Sequence, residues 1–121
     1  MKKTKMLKKN YEFSNVLSKG KYYSGKTVEA FILNNGRNFN YLGLAVSRKS
    51  GHAYMRNRVK RLIKENYRLL EEEICNGFSI VFLWKKKADI TEANFYQIKE
   101  DILKIFNTAK VIGNKEKWKK F

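Results

Sequence analysis

Apolar positions recur along the chain in two rhythms, and the changes of rhythm mark the predicted elements. Phe13, Val16 and Leu17 stand at i, i+3 and i+4, a helical spacing, with Asn10 placed to cap the helix and Ser18-Lys19-Gly20 to end it. From Lys26 to Asn34 the period falls to two. Val28, Ala30 and Ile32 face one way there, and Thr27, Glu29, Phe31 and Leu33 the other. Asn34-Asn35-Gly36 is a turn signal, after which Leu42, Leu44 and Val46 alternate with Tyr41, Gly43 and Ala45. These two strands are expected to form an antiparallel pair.

Gly51 marks a turn, and a second helix is predicted from Ala53 or Tyr54 to about Cys75, where Asn76-Gly77 supplies a left-handed stop. Phe78 to Trp84 is apolar on both faces and predicts a short central strand covered on both sides. Lys85-Lys86-Lys87 leaves the sheet. Thr91 is placed to cap a last helix with Phe95, Ile98, Ile102, Ile105 and Phe106 along one stripe. Residues 1–9 read as a basic, mobile arm and 113–121 as a frayed basic tail. No linker, repeat or proline interrupts the chain, so residues 1–121 are expected to form a single domain, an α/β (α+β) sandwich with a small mixed sheet.

The second helix carries most of the chemical signal. Met55, Val59, Leu62, Ile63 and Leu70 fall on one side of it, while Asn57, Lys60, Arg61, Lys64 and Arg68 fall on the other. Arg56 and Arg58 flank the apolar stripe, and Arg48 and Lys49 precede the helix. A solvated helix face normally interleaves acids at i, i+4, but Glu65 is the sole acid between Arg48 and Arg68. Crowded cations repel one another unless a polyanion relieves them. The whole chain repeats the signal: 27 Lys and Arg against 11 Asp and Glu give a net charge of +16. No apolar run is long enough to span a bilayer, so nucleic acid is a better partner than a membrane.

Templates for protein catalysis find no match. His52 is the lone histidine and Cys75 the lone cysteine, which excludes an internal disulfide. Glu71-Glu72-Glu73 splay around a helix, and Glu92, Glu100 and Asp101 are expected on the exposed side of the last one. Metal-dependent nucleases instead converge several carboxylates on their cations. The N-terminus lacks the apolar core of a signal peptide, which leaves a cytoplasmic location as the expectation. Phe31 shares its strand face with Glu29, and Gly43 and Ala45 keep the neighbouring surface shallow. With Phe13 and Leu17 against its edge, that face could form an aromatic groove for single-stranded RNA. Periodicity alone leaves ordinary packing beneath a helix equally open.

Ser47-Arg48-Lys49, Gly51, Ala53 and above all the run Arg56-Asn57-Arg58-Val59-Lys60-Arg61-Leu62-Ile63-Lys64-Glu65 resemble the "RNR" signature of the bacterial ribonuclease P protein subunit. Leu7-Lys8-Lys9-Asn10, the Phe13 helix and the later elements follow in the family's order, so the resemblance covers nearly the whole chain. It implies an αβββαβα fold containing a left-handed βαβ crossover, against the usual rule. It implies also that a catalytic RNA, using Mg²⁺, cleaves precursor tRNA to give the mature 5′ end. The protein would dock on that RNA and hold the single-stranded 5′ leader, with no protein partner required. By position, Arg48, Lys49, Arg56, Asn57, Arg58, Lys60, Arg61 and Lys64 would meet the RNA subunit, with Arg68 extending the same face. Phe13, Leu17 and Phe31 would line the leader groove. Leu17 and Phe31 depart from aromatic and tyrosine residues common in the family, and Lys87 from a common proline. A ribosomal-type RNA-binding protein of the same fold, without a processing role, is the alternative.

Overall fold

The computed structural model describes residues 1–113. In chain order the elements are β1 (Thr4–Met6), α1 (Asn10–Lys19), β2 (Lys21–Ser24), β3 (Val28–Asn34), β4 (Asn40–Ala45), α2 (Ala53–Leu70), β5 (Phe78–Trp84) and α3 (Phe95–Ala109). Short 3-10 turns occupy Arg48–Ser50, Glu71–Glu73 and Ile90–Glu92. One five-stranded mixed sheet runs in the order β1-β4-β5-β3-β2. Helices α2 and α3 cover one face, and α1 lies on the other.

The central position of β5 corrects the expected pairing of β3 with β4. Strand β5 lies between them, antiparallel to β3 and parallel to β4. Its continuous apolar sequence is the reason, since only the middle of the sheet offers cover on both faces. Phe82 and Ile80 are sealed beneath α2 and α3, while Val81 is sealed beneath α1. Helix α2 thus forms the crossover between the parallel neighbours β4 and β5.

The first nine residues are not a free arm. Thr4–Met6 pairs in parallel with Asn40–Leu42. The Thr4 hydroxyl shares a 2.7 Å hydrogen bond with the buried Tyr67 hydroxyl, and the Lys2 amide donates to the Glu71 carboxylate at 3.1 Å. Strand β2, which periodicity did not reveal, closes the other edge against β3. The tail from 114 onward lies outside the described residues.

Helix ends differ from expectation in three places. Asn10 does not cap α1; the Glu12 carboxylate accepts the Lys9 amide at 2.9 Å and the Lys8 amide at 3.2 Å, which holds it below the usual carboxylate range. Helix α2 ends at Leu70, and the chain tightens into its 3-10 turn as Glu71 is drawn inward. Asn94, not Thr91, caps α3 by accepting the Gln97 amide at 2.9 Å. Thr91 donates its hydroxyl and amide to Asp89, whose carboxyl is lowered by that hydroxyl first.

Asp101 is the clearest reversal. Placed on the exposed side of the last helix by its charge, it is 3% exposed. Its carboxylate accepts the amides of Lys26, Thr27 and Val28, the Thr27 hydroxyl and the Gln97 side-chain amide. Buried carboxylates persist when their lone pairs are filled in this way. Gly25 passes directly above, where an added Cβ would stand 2.6 Å from that of Asp101. The acid staples α3 to the start of β3.

Candidate nucleic-acid interface

Helix α2 divides as its sequence dictates. Val59, Ile63, Tyr67 and Leu70 are buried in the core, and the basic side chains turn away from it. Asn66 joins the buried side and donates to the Leu62 and Phe95 carbonyls, tying α2 to the start of α3. Arg56 donates through Nε to the Gly51 carbonyl at 3.2 Å, and Arg58 donates to the Ala93 carbonyl. Each bond fixes the stem of a guanidinium that has further N–H groups to offer. Arg48 and Lys49 stand on a 3-10 turn whose cap is the Ser47 hydroxyl, accepting the Lys49 amide at 3.3 Å.

Charge pairing on this face is sparse. Arg68 reaches Glu65 at 2.6 Å, an exposed i, i+3 pair. Hydrogen bonding across the pair holds the Glu65 carboxyl down and the Arg68 guanidinium up. Among the described residues, Arg48, Lys49, Arg56, Arg58, Lys60, Arg61 and Lys64 have no carboxylate within ion-pair distance. Arg68 is therefore the one predicted cation already neutralised locally. Sequence reasoning passed over Tyr54, 67% exposed at the start of this helix and stacked nearly parallel on His52 at 6.0 Å. Its place in the first turn, off the apolar stripe, was the available signal.

On the opposite face of the sheet, Phe13 and Phe31 meet in one cluster with Val16, Val81 and Leu83. Gly43 makes this possible: a Cβ there would lie 2.6 Å from the Phe13 ring. Leu17 sits one turn along α1 and is exposed. Tyr22, opposite Phe31 on the edge strand, packs its ring at 5.3 Å and is 49% exposed. Its hydroxyl donates to Glu29 at 2.6 Å, and that bond pushes the phenol above its ordinary range. Tyr22 thus adds an unpredicted ring beside Phe31 and occupies one oxygen of Glu29. The period-two signal in Lys21–Ser24 is only four residues long, too short to read unaided.

The arrangement can bind anions on one side and stack planar rings on the other. Among the described residues, no three His, Cys, Asp or Glu side chains gather to hold a metal ion. Among the same residues, no helix is long and apolar enough to cross a membrane.

Comparisons with known proteins agree with this chemistry. The family model described as Ribonuclease P matches residues 1–110. A ribonuclease P protein component from Thermoanaerobacter pseudethanolicus is 39% identical over 111 residues, covering 92% of this chain and 94% of that protein. One from Alkaliphilus oremlandii is 36% identical over 114 residues, covering 94% and 98%. Among solved structures, the Staphylococcus aureus RNase P protein superposes with a TM-score of 0.78 at 28% identity, covering 89% of this chain and 97% of that one. The Thermotoga maritima RNase P protein gives 0.75 at 28% identity, covering 91% and 99%. The chain belongs to the ribonuclease P family of protein components.

Proposed function

We propose that the basic face of α2 docks this chain onto the catalytic RNA of ribonuclease P, while the groove beside Phe13 and Phe31 holds the 5′ leader of precursor tRNA. The chain is the protein subunit of that ribonucleoprotein and works with its RNA subunit in maturing tRNA 5′ ends. The observation that carries the docking assignment is the row of cations on a rigid helix with a single local acid partner. Arg48, Arg56, Arg58 and Arg61 would grip phosphates through two N–H groups each, and Lys49, Lys60 and Lys64 would act as point charges. Asn57 would supply an amide to a phosphate or ribose. Arg68 would exchange its Glu65 partner for phosphate, at little cost for an exposed pair.

Leader binding would use stacking. Phe13, Phe31 and Tyr22 offer ring faces or edges to unpaired bases, and Leu17 offers an apolar contact. Mg²⁺ would be held by the RNA subunit, which the family resemblance makes the catalyst. The protein's share is then to position substrate and to relieve phosphate repulsion.

One mixing experiment tests the reading. The purified chain, ribonuclease P RNA and a precursor tRNA are combined at low Mg²⁺, and 5′ leader release is followed. Release that requires both protein and RNA is the expected result. Cleavage by the protein alone, or an RNA reaction indifferent to the protein, would overturn it.

A further inference from the structure

Helix α1 is a ridge that divides its face of the sheet into two grooves, one of which the leader assignment does not use. At its first turn Phe13 rests against Gly43 of β4, and beyond its end Gly20 lies against the Ile32 backbone of β3. The helix therefore crosses the strands over the row Gly43–Val81–Phe31. The row Ala45–Leu83–Glu29 is left on one side, where the leader groove lies. The row Tyr41–Ser79–Leu33 is left on the other. At 100° per residue, Phe13 and Leu17 share one flank of α1 while Tyr11, Asn15 and Lys19 share the opposite one.

The second groove has a volume of about 800 Å³, and its lining includes Tyr11, Tyr41, Lys19, Arg37, Asn15 and Glu12. Tyr11 is 69% exposed, with the Lys9 ammonium 5.8 Å from its ring centroid. Arg37 and Lys19 are exposed, with no carboxylate in ion-pair reach among the described residues. The loop that carries Arg37 is held in shape. Asn35 accepts the Arg37 amide at 2.8 Å and donates to Ser79 at 3.1 Å, and Asn34 accepts the Gly36 amide at 3.0 Å. Gly36 supplies the left-handed turn there with φ 68°. A cation on a braced loop, beside one exposed ring, one half-buried ring and polar side chains, matches the chemistry that recognises an unpaired ribonucleotide, namely a phosphate, a base face and polar base edges.

We infer that this second groove takes an unpaired nucleotide of the RNA subunit, a contact separate from both the α2 face and the leader groove. The inference rests on the RNA-docking reading given above. The ridge identifies the source of the nucleotide, because a leader in the first groove would have to climb a helix about 10 Å across to reach the second. A distinct stretch of RNA enters without that detour.

The test measures binding of full-length protein to ribonuclease P RNA, and of the assembled holoenzyme to precursor and mature tRNA. Tyr11→Ala combined with Arg37→Ala is expected to weaken RNA-subunit binding by roughly 10- to 100-fold, the range for a lost stack plus a phosphate contact. Tyr11→Phe should retain wild-type affinity, since the ring and not the hydroxyl is required. The preference of the holoenzyme for precursor over mature tRNA should not change. Unaltered RNA-subunit affinity in the double variant, or a loss confined to leader-bearing substrate, would overturn the inference. Arg61→Ala and Phe31→Ala run alongside separate its failure from that of the parent reading. If they lower RNA and leader affinity while the double variant does not, the second groove alone is refuted. If they too change nothing, the docking assignment falls with it.

Discussion

On the face covered by α2 and α3, Val28, Ala30, Leu42, Ile80, Phe82 and Trp84 are sealed from solvent. One position along the same strands, Phe31, Leu33, Tyr41 and Leu83 are only half-covered, beneath α1. Cover, more than composition, makes the difference. Five strands span about 20 Å, and α1 with 10 residues reaches about 15 Å, whereas α2 and α3 with 18 and 15 residues lie side by side over the other face. One face is finished by the chain itself. The other stays half-open, and it is the face to which the leader is assigned above.

The sharpest way to break this contrast is to truncate neighbours on β5 and β3 that point oppositely. Phe82→Ala should cost about 3–5 kcal/mol of folding stability, read from denaturant midpoints, because it opens a cavity under α2 and α3. A cost near zero would mean that face is not the structural one. The sealed side can also be probed by pH. Burial pushes the Tyr67 hydroxyl up to about 12, with a nearby Glu71 carboxylate adding to the effect. Because the folded state holds the phenol neutral, its contribution is intact below pH 10, where an unfolded tyrosine ionises, and is lost as the pH rises towards 12. The loss should approach about 2–3 kcal/mol and should be absent in Tyr67→Phe, measured by unfolding at pH 8, 10 and 11.5.

Smaller effects are expected on the two outward surfaces, the solvent side of α2 and the half-covered face beside α1. Arg61→Ala should leave stability within about 0.5 kcal/mol of wild type and weaken RNA docking by about 1.5–3 kcal/mol, with a shallower salt dependence. Titrations at two salt concentrations check both parts. Phe31→Ala should lower affinity for precursor tRNA by about 1–2 kcal/mol and leave mature tRNA unaffected. Equal losses for the two RNAs would remove Phe31 from the leader groove.

Elements whose stability is local were the legible ones. Strand β5 could be read residue for residue, because seven consecutive strand residues with almost no polar break leave one solution. The stripes of α2 and α3 and the cation face were likewise visible in spacing alone. What escaped depends on partners distant in sequence. Strand β1 forms because Thr4 finds Tyr67 and because β4 offers an edge, and neither fact is encoded near Thr4. Asp101 looked like a surface charge until the amides of Lys26, Thr27 and Val28 were found around it. In the candidate site, Phe13, Phe31 and the α2 cations follow from pattern and resemblance. Tyr22 and Tyr54 needed the register of a four-residue strand and the exposure of a first helical turn.

Strands β1 and β2, of three and four residues, form the two margins of the sheet, and each carries an exposed lysine, Lys5 and Lys21. Margins this short and this charged offer little backbone for another copy to zip onto. A copy approaching either margin would meet a like charge and only three or four residues to pair with, so edge-to-edge growth of the sheet is disfavoured.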